Sequence, residues 1–268
     1  MCALLTDHSP SDRRGSLKNR IRRQELTLGT WVTLGHPAVA EIMGRAGFDW
    51  VVIDTEHSVI DTVDLQPLIQ ALDAADCPAL VRLTSNHPDQ IKRAMDAGAT
   101  GIVVPMVDSV EKAQAAVDAV YYPPLGKRGV GLARAQGYGA SFPDYVRWLH
   151  GSAVIIVMIE HIQAVDRLDE ILAVPQIDGF IIGPYDLSAS MGKPGAFDDP
   201  DVRTAIDAIC EGGRRAGKAG GMHVVETDVE RVQECVAAGF RFMGYSVDIR
   251  VLDSLMRRDL ARIRGRDG

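Results

Sequence analysis

The sequence predicts a (β/α)8 TIM barrel, a single-domain α/β fold, on three observations. Eight short apolar runs punctuate the chain, helical patterns separate most of them, and several helices stop on Gly just before the next run, as in RAGFDW, DAGATG and AAGFRF. The runs are apolar on both faces, as parallel strands covered by helices should be. A glycine past the last helical turn takes the left-handed conformation that feeds the following strand. Eight such units within about 250 residues match the repeat of a barrel. A doubly wound open sheet is the competing fold. It needs fewer units and a Gly-rich phosphate loop after the first strand, where this chain has GHPAVAE.

Taken in order, residues 1–16 read as a frayed tail, and 17–268 as the barrel domain, entered through a short basic helix, LKNRIRRQE. The strand candidates are LGTWVTL (28–34), DWVVID (49–54), PALVRL (78–83), TGIVVPM (100–106), AVIIVMIE (153–160), DGFIIG (178–183), KAGGMHVV (218–225) and FRFMGYS (240–246). Helical patterns lie between them, among them PAVAEIMGRAG, PDQIKRAMDAG and IQAVDRLDEILAV. A last helix, VDIRVLDSLMRRDLARIR, follows the eighth strand. The one long connection is the Gly- and Pro-rich 121–142, the kind of loop that serves as a lid or a subunit contact.

Composition narrows the function. The formal charge of −7 argues against a nucleic-acid partner, which requires a basic face. No apolar run approaches the roughly 20 residues of a membrane span, and the N-terminus lacks a signal-peptide pattern. Cys2, Cys77, Cys210 and Cys235 form no CxxC and suit a reducing cytoplasm.

A barrel carries its active site where the strands end. Strand two ends in Asp54, Glu56 and His57, strand three in Arg82, strand five in Glu160 and strand six in Gly183-Pro184-Tyr185-Asp186, whereas the opposite rim offers turn residues. Glu160 and Asp186 end adjacent strands, where two carboxylates hold one hard cation, Mg²⁺ or Mn²⁺, with room for water and substrate. The same two groups would equally serve as helix caps. His57 fits a general acid/base and fits a satisfied strand-end histidine as well. An imine mechanism would require a strand-end lysine. Only Lys193 comes near the rim, so the imine route is disfavoured.

Residues 26–257 resemble the HpcH/HpaI aldolases. The motifs that carry the likeness are AEIMGRAGFDWVVIDTEH, VR, IKRAMDAGATGIVVPMVDS, YYPPLGKRGVG, the IE of MIE, and IDGFIIGPYDLSASMGKPG. The resemblance implies a metal-dependent pyruvate aldolase, class II, which cleaves a 4-hydroxy-2-keto acid reversibly to pyruvate and an aldehyde. It implies His57 as acid/base, Asp96 as the carboxylate that pairs with it, and Arg82 at the keto oxygen. Glu160 and Asp186 become ligands of Mg²⁺, or of Mn²⁺ or Co²⁺, and the backbone from Gly183 to Asp186 becomes the cradle of the substrate carboxylate. Oxaloacetate decarboxylation, a citrate-lyase-type reaction on an acyl-CoA, and a non-catalytic keto-acid-binding barrel are the alternatives. Two positions depart from the family pattern. Met158 stands where a glutamine is common, and Tyr185 where Ala or Ser is. Both touch the substrate pocket and leave the catalytic set intact. The resemblance further implies a homo-oligomer, a hexamer built as a trimer of dimers. The last helix, apolar at Val251, Leu252, Leu255, Met256 and Leu260, would be exchanged between subunits or docked on its own barrel.

Overall fold

The structure, a computed structural model, describes residues 13–265, with side chains from residue 17 onward. Eight parallel strands hydrogen-bond in sequence order: β1 (Thr27–Val32), β2 (Trp50–Asp54), β3 (Ala79–Arg82), β4 (Gly101–Val104), β5 (Val154–Ile159), β6 (Gly179–Ile182), β7 (Ala219–Val224) and β8 (Phe242–Val247). Pairing of β8 with β1 closes the barrel. Eight predicted runs became these eight strands.

The helices are α1 (Arg13–Arg22), α2 (Pro37–Arg45), α3 (Thr62–Ala74), α4 (Pro88–Ala97), α5 (Val110–Val120), α6 (Phe142–Ser152), α7 (Ile162–Asp166), α8 (Leu168–Leu172), α9 (Pro184–Ser190), α10 (Pro200–Ala216), α11 (Val229–Ala237) and α12 (Asp248–Ile263). Their ends follow local chemistry. The side chains of His36, His87 and His161 each accept the N–H two residues on and so cap α2, α4 and α7. Asp61 and Asp64 form a capping box on α3. Gly47, Gly98 and Gly239, the predicted stop signals, all sit at positive φ.

Three expectations are revised. α1 starts at Arg13, so the end of the supposed tail is helical, and residues 1–12 lie outside the described part. The segment expected as one helix after β5 divides at Arg167 (φ −111°, ψ 13°) into α7 and α8. The long connection contains a short 3-10 segment, Arg134–Gly139.

The barrel interior is filled in layers. Trp50 stacks on Phe242 with centroids 4.1 Å apart, and Trp31 meets Trp50 edge-on at 5.4 Å. This packing needs strand glycines: a Cβ on Gly29 would lie 2.1 Å from the Trp50 ring, and one on Gly244 2.3 Å from Trp31. Leu17 and Ile21 of α1 enter the interior cluster from the N-terminal face, and plug it. Beside them the buried Lys18 amine donates to Asp178 (3.0 Å), the Ala153 carbonyl (2.5 Å) and Tyr121 (3.1 Å). A buried ammonium is tolerated only when so fully paired. With one end closed, the cavity opens at the other.

Candidate active site

Asp54 ends β2 and Arg82 ends β3, and the two are register partners, so their side chains project side by side into the mouth. Asp54 is buried, and it grips Arg82 with both oxygens: Oδ1 accepts from Nε at 2.9 Å and Oδ2 from Nη2. The same Oδ1 accepts the backbone N–H groups of Glu56 (2.9 Å) and His57 (3.2 Å). Asp54 therefore folds the turn that presents the two residues after it. Burial alone would raise its pKa; the hydrogen bonds and charge of Arg82, with those two N–H groups, hold it below the ordinary carboxylate value. A bidentate carboxylate–guanidinium pair of this kind is geometrically fixed.

Glu56 lies 3.3 Å from Arg82 Nη1 and 3.9 Å from His57 Nε2. The imidazole of His57 itself is 65% exposed and open to the cavity. Across the mouth, Glu160 is buried, with Oε1 accepting the Met106 N–H at 2.6 Å. Met106 holds a positive φ of 53°, which is uncommon for a non-glycine residue and worth its strain when it aims a backbone donor at a buried carboxylate. On the other side Gly183 makes room: a Cβ there would lie 2.5 Å from the second Glu160 oxygen. Burial, with Glu56 and Asp186 nearby, pushes the Glu160 carboxyl up to about 7, against the pull of the Met106 N–H and Arg82.

Asp186 falls in the first turn of α9, immediately after Pro184 and Tyr185, and all three line the same cavity, of about 470 Å³, as His57 and Arg82. Tyr185 is exposed at its edge and packs edge-on against Phe197 at 4.8 Å. Met158 lines the wall between β5 and the floor.

The structure does not bring Asp96 to His57. α4 runs back from the C-terminal face, as barrel helices do, so its penultimate residue ends near the opposite rim. There Asp96 is bound by Nη2 of Arg128, whose guanidinium also donates to Tyr145 (3.0 Å) and to the carbonyl of Val120 at the end of α5 (3.2 Å). The expected His57–Asp96 pair is not formed within the chain, and the carboxylate beside His57 is Glu56. Sequence reasoning also passed over Trp31 and gave His223 no role. The two rings stack at 3.9 Å, and both line the cavity. The signal for His223 was its place at the end of a strand.

A divalent ion fits the donor set. Glu160 has an excess of negative neighbours, Glu56 and Asp186, and Arg82 is already occupied by Asp54 and Glu56. Among the described residues no three His, Cys, Asp or Glu side chains converge closely enough to enclose a metal alone. Two carboxylates with substrate and water oxygens would suit a hard ion.

The family model of HpcH/HpaI aldolase/citrate lyase matches residues 27–254. The 2-keto-3-deoxy-L-rhamnonate aldolase of Escherichia coli K12 is 37% identical over 254 residues, 94% of each chain. Among solved structures, an HpcH/HpaI aldolase/citrate lyase family protein from Burkholderia cenocepacia J2315 superposes with a TM-score of 0.88 at 34% identity, covering 93% of this chain and 99% of that one. An HpcH/HpaI aldolase from Desulfitobacterium hafniense DCB-2 superposes at 0.84 and 28% identity, covering 92% and 96%.

Proposed function

We propose, for a chain that belongs to the HpcH/HpaI aldolase/citrate lyase family and is a carbon–carbon lyase of the aldolase type, that it cleaves a 4-hydroxy-2-keto acid reversibly to pyruvate and an aldehyde. The observation that carries this reading is the mouth itself. A fixed guanidinium, an open imidazole and the Asp186 carboxylate line one cavity, and the buried Glu160 feels the charges of Asp186 and Arg82 behind it.

Glu160 and Asp186 would hold the divalent ion, Mg²⁺ with Mn²⁺ or Co²⁺ as substitutes. When bound it supplies Lewis-acid polarisation of the keto oxygen. The chain's own groups do the rest. Arg82 has five N–H donors; Asp54 takes one from Nε and one from Nη2, and the others, with Glu56 3.3 Å from Nη1, suit the oxygen on which negative charge develops. Pro184 has no N–H, and the N–H groups of Tyr185 and Asp186, in the first turn of α9, have no acceptor within the helix, so they suit the substrate carboxylate. His57 takes the proton of the C4 hydroxyl during cleavage and returns it during synthesis. Glu56 is the carboxylate beside it, 3.9 Å from Nε2.

The acyl-CoA alternative needs a basic patch for phosphates, and only 126–136 could provide one. Its cations are already paired, Lys127 with Asp118, Arg128 with Asp96 and Arg134 with Asp73.

No helix among the described residues is long and apolar enough to cross a membrane. Among the described residues Cys210 and Cys235 are free thiols. Asp248 anchors the start of α12 by accepting from Thr33 and Leu34, yet beyond it Leu252, Leu255, Met256 and Leu260 stand exposed. Such a stripe fits exchange with a second copy in a homo-oligomer better than docking on its own barrel. Light scattering on wild type and on Leu255→Asp/Leu260→Asp tests this: a wild-type monomer would refute it.

For the reaction, pyruvate and a panel of aldehydes are assayed with chelator and with Mg²⁺, Mn²⁺ or Co²⁺ restored. Chelator should abolish turnover and the ions restore it, while Glu160→Ala and Asp186→Ala lose metal affinity and stay folded. Full activity in chelator, with borohydride trapping pyruvate on a lysine, would overturn the reading.

A further inference from the structure

The N–H of Met106 reaches Glu160 from a backbone at φ 53°, a conformation that an L side chain holds only where its surroundings impose it. The Met106 side chain is 43% exposed, so its own packing does not impose it. The two peptide groups flanking its Cα do. Its N–H is bound by Glu160 Oε1 at 2.6 Å, and its carbonyl oxygen accepts from Lys112 Nζ at 3.2 Å. Lys112 Nζ also donates to Asp108 Oδ2 at 2.6 Å, and Asn86 Nδ2 donates to the Lys112 carbonyl at 2.8 Å. The turn between β4 and α5 is thus clamped from the helix side. What it presents inward is the donor to Glu160.

By local rules Lys112 is the wrong residue for its place. It stands three residues after the N-cap Ser109, whose hydroxyl accepts its N–H at 3.3 Å. A capping box takes an acceptor side chain at that position, as α3 does with Asp64. An ammonium in the first turn also opposes the helix dipole. Sequences break such rules where a functional arrangement requires it. Here the break delivers a donor to the Met106 carbonyl, which an acidic side chain could not do.

We infer that Lys112 is a positioning residue for the metal-holding carboxylate: it locks Met106 in the left-handed conformation from which the Met106 N–H orients Glu160. This rests on the assignment of Glu160 to the divalent ion above.

The test is Mn²⁺ titration calorimetry on the substrate-free protein, with a melting curve for each variant. Lys112→Met keeps the stem and loses the donor, and Mn²⁺ affinity should fall about fivefold, the worth of one hydrogen bond. The melting temperature should hardly move, because the Lys112–Asp108 pair is half exposed. A lysine acting only as a charge would repel the ion, so its removal would tighten binding; the sign alone separates the two roles. Lys112→Arg keeps a donor and should stay within about twofold of wild type. Met106→Gly adopts the left-handed backbone without strain, so in that background Lys112→Met should cost less than about twofold. Met106→Val resists positive φ and should weaken Mn²⁺ about tenfold; at this half-exposed position it reports even if Lys112→Met does not fold. Unchanged or tighter binding in Lys112→Met or in Met106→Val, or an undiminished loss in the Met106→Gly background, would overturn this inference alone. A wild type that binds no Mn²⁺, or binding that survives Glu160→Ala, would remove the metal assignment and this inference with it.

Discussion

His223 makes a prediction about acid stability that needs no substrate. Its folded pKa of about 4 lies below the ordinary histidine value, chiefly through desolvation, with Arg82 adding to the depression and the Ser246 carbonyl and Asp54 opposing it. Between the two values the unfolded chain takes up a proton that the folded protein refuses. The contribution is therefore fully present above the unfolded pKa and is lost as pH falls towards 4. With an unfolded value of about 6.5, the loss between pH 7 and pH 4.5 is on the order of 2 to 3 kcal/mol. For a chain of this size that is about 5 to 10 °C in melting temperature. Glu160 works the other way. Its folded value of about 7 is raised, so the metal-free protein gains stability as pH falls through the same window. Wild type alone shows only the sum, and the informative quantity is its difference from His223→Leu. Calorimetric melts of both proteins in chelator, at pH 7 and pH 4.5, should show the wild type losing roughly 2 to 3 kcal/mol more than the variant. Parallel pH profiles would refute a neutral, desolvated His223.

Gly183→Ala places a methyl against the Glu160 carboxylate, so titration calorimetry should show Mn²⁺ affinity falling at least about tenfold while the melt is little changed. Arg128→Leu strands Asp96 and removes the donors to Tyr145 and Val120. It should cost about 3 kcal/mol in denaturant melts and expose the 123–133 segment to limited proteolysis. Tyr185→Ala opens the cavity edge and frees Phe197; aldehyde ranking should change while turnover of a simple pyruvate adduct falls less than about tenfold. An unchanged ranking with a lowered melting temperature would mean that the phenol only packs.

How legible the barrel was depended on periodicity. Val51, Val52 and Ile53 are fully buried because β2 has the barrel interior on one face and helices on the other, and that shows in sequence as an unbroken apolar run. The glycines at helix ends were equally readable, since an L side chain resists the left-handed turn they make. The break at Arg167 carried no such mark: no Pro or Gly stands there, and the segment keeps a helical pattern across it. The mouth was readable as a set of strand ends, which is why Asp54, Arg82, Glu160 and Asp186 could be named. What strand ends cannot report is which group each side chain meets. Asp54 looked like one more acid, yet it is the residue that orients both Arg82 and the turn carrying His57.

Asp96 marks the boundary of motif reasoning. Its motif named it, but a motif specifies position along the chain, whereas pairing depends on which end of the barrel a residue reaches. At the start of α4 a carboxylate would be near the mouth; Asp96, on the last turn, lies about 12 Å further along the helix, at 1.5 Å per residue. Arg128 meets it there. Its cation lies over the rings of Tyr122 (4.8 Å) and Tyr145 (5.5 Å), so Asp96 completes a buried polar cluster beneath the long connection. In a single chain it anchors that connection, and the carboxylate placed for the duty expected of it, pairing with His57, is Glu56. The two assignments separate experimentally. Glu56→Gln should shift the pH dependence of kcat/KM on a 4-hydroxy-2-keto acid, because it removes the charge 3.9 Å from His57. Asp96→Asn should lower the melting temperature and leave that profile in place. A shifted profile in Asp96→Asn, with Glu56→Gln silent, would return the duty to Asp96 and require a second copy of the chain to deliver it.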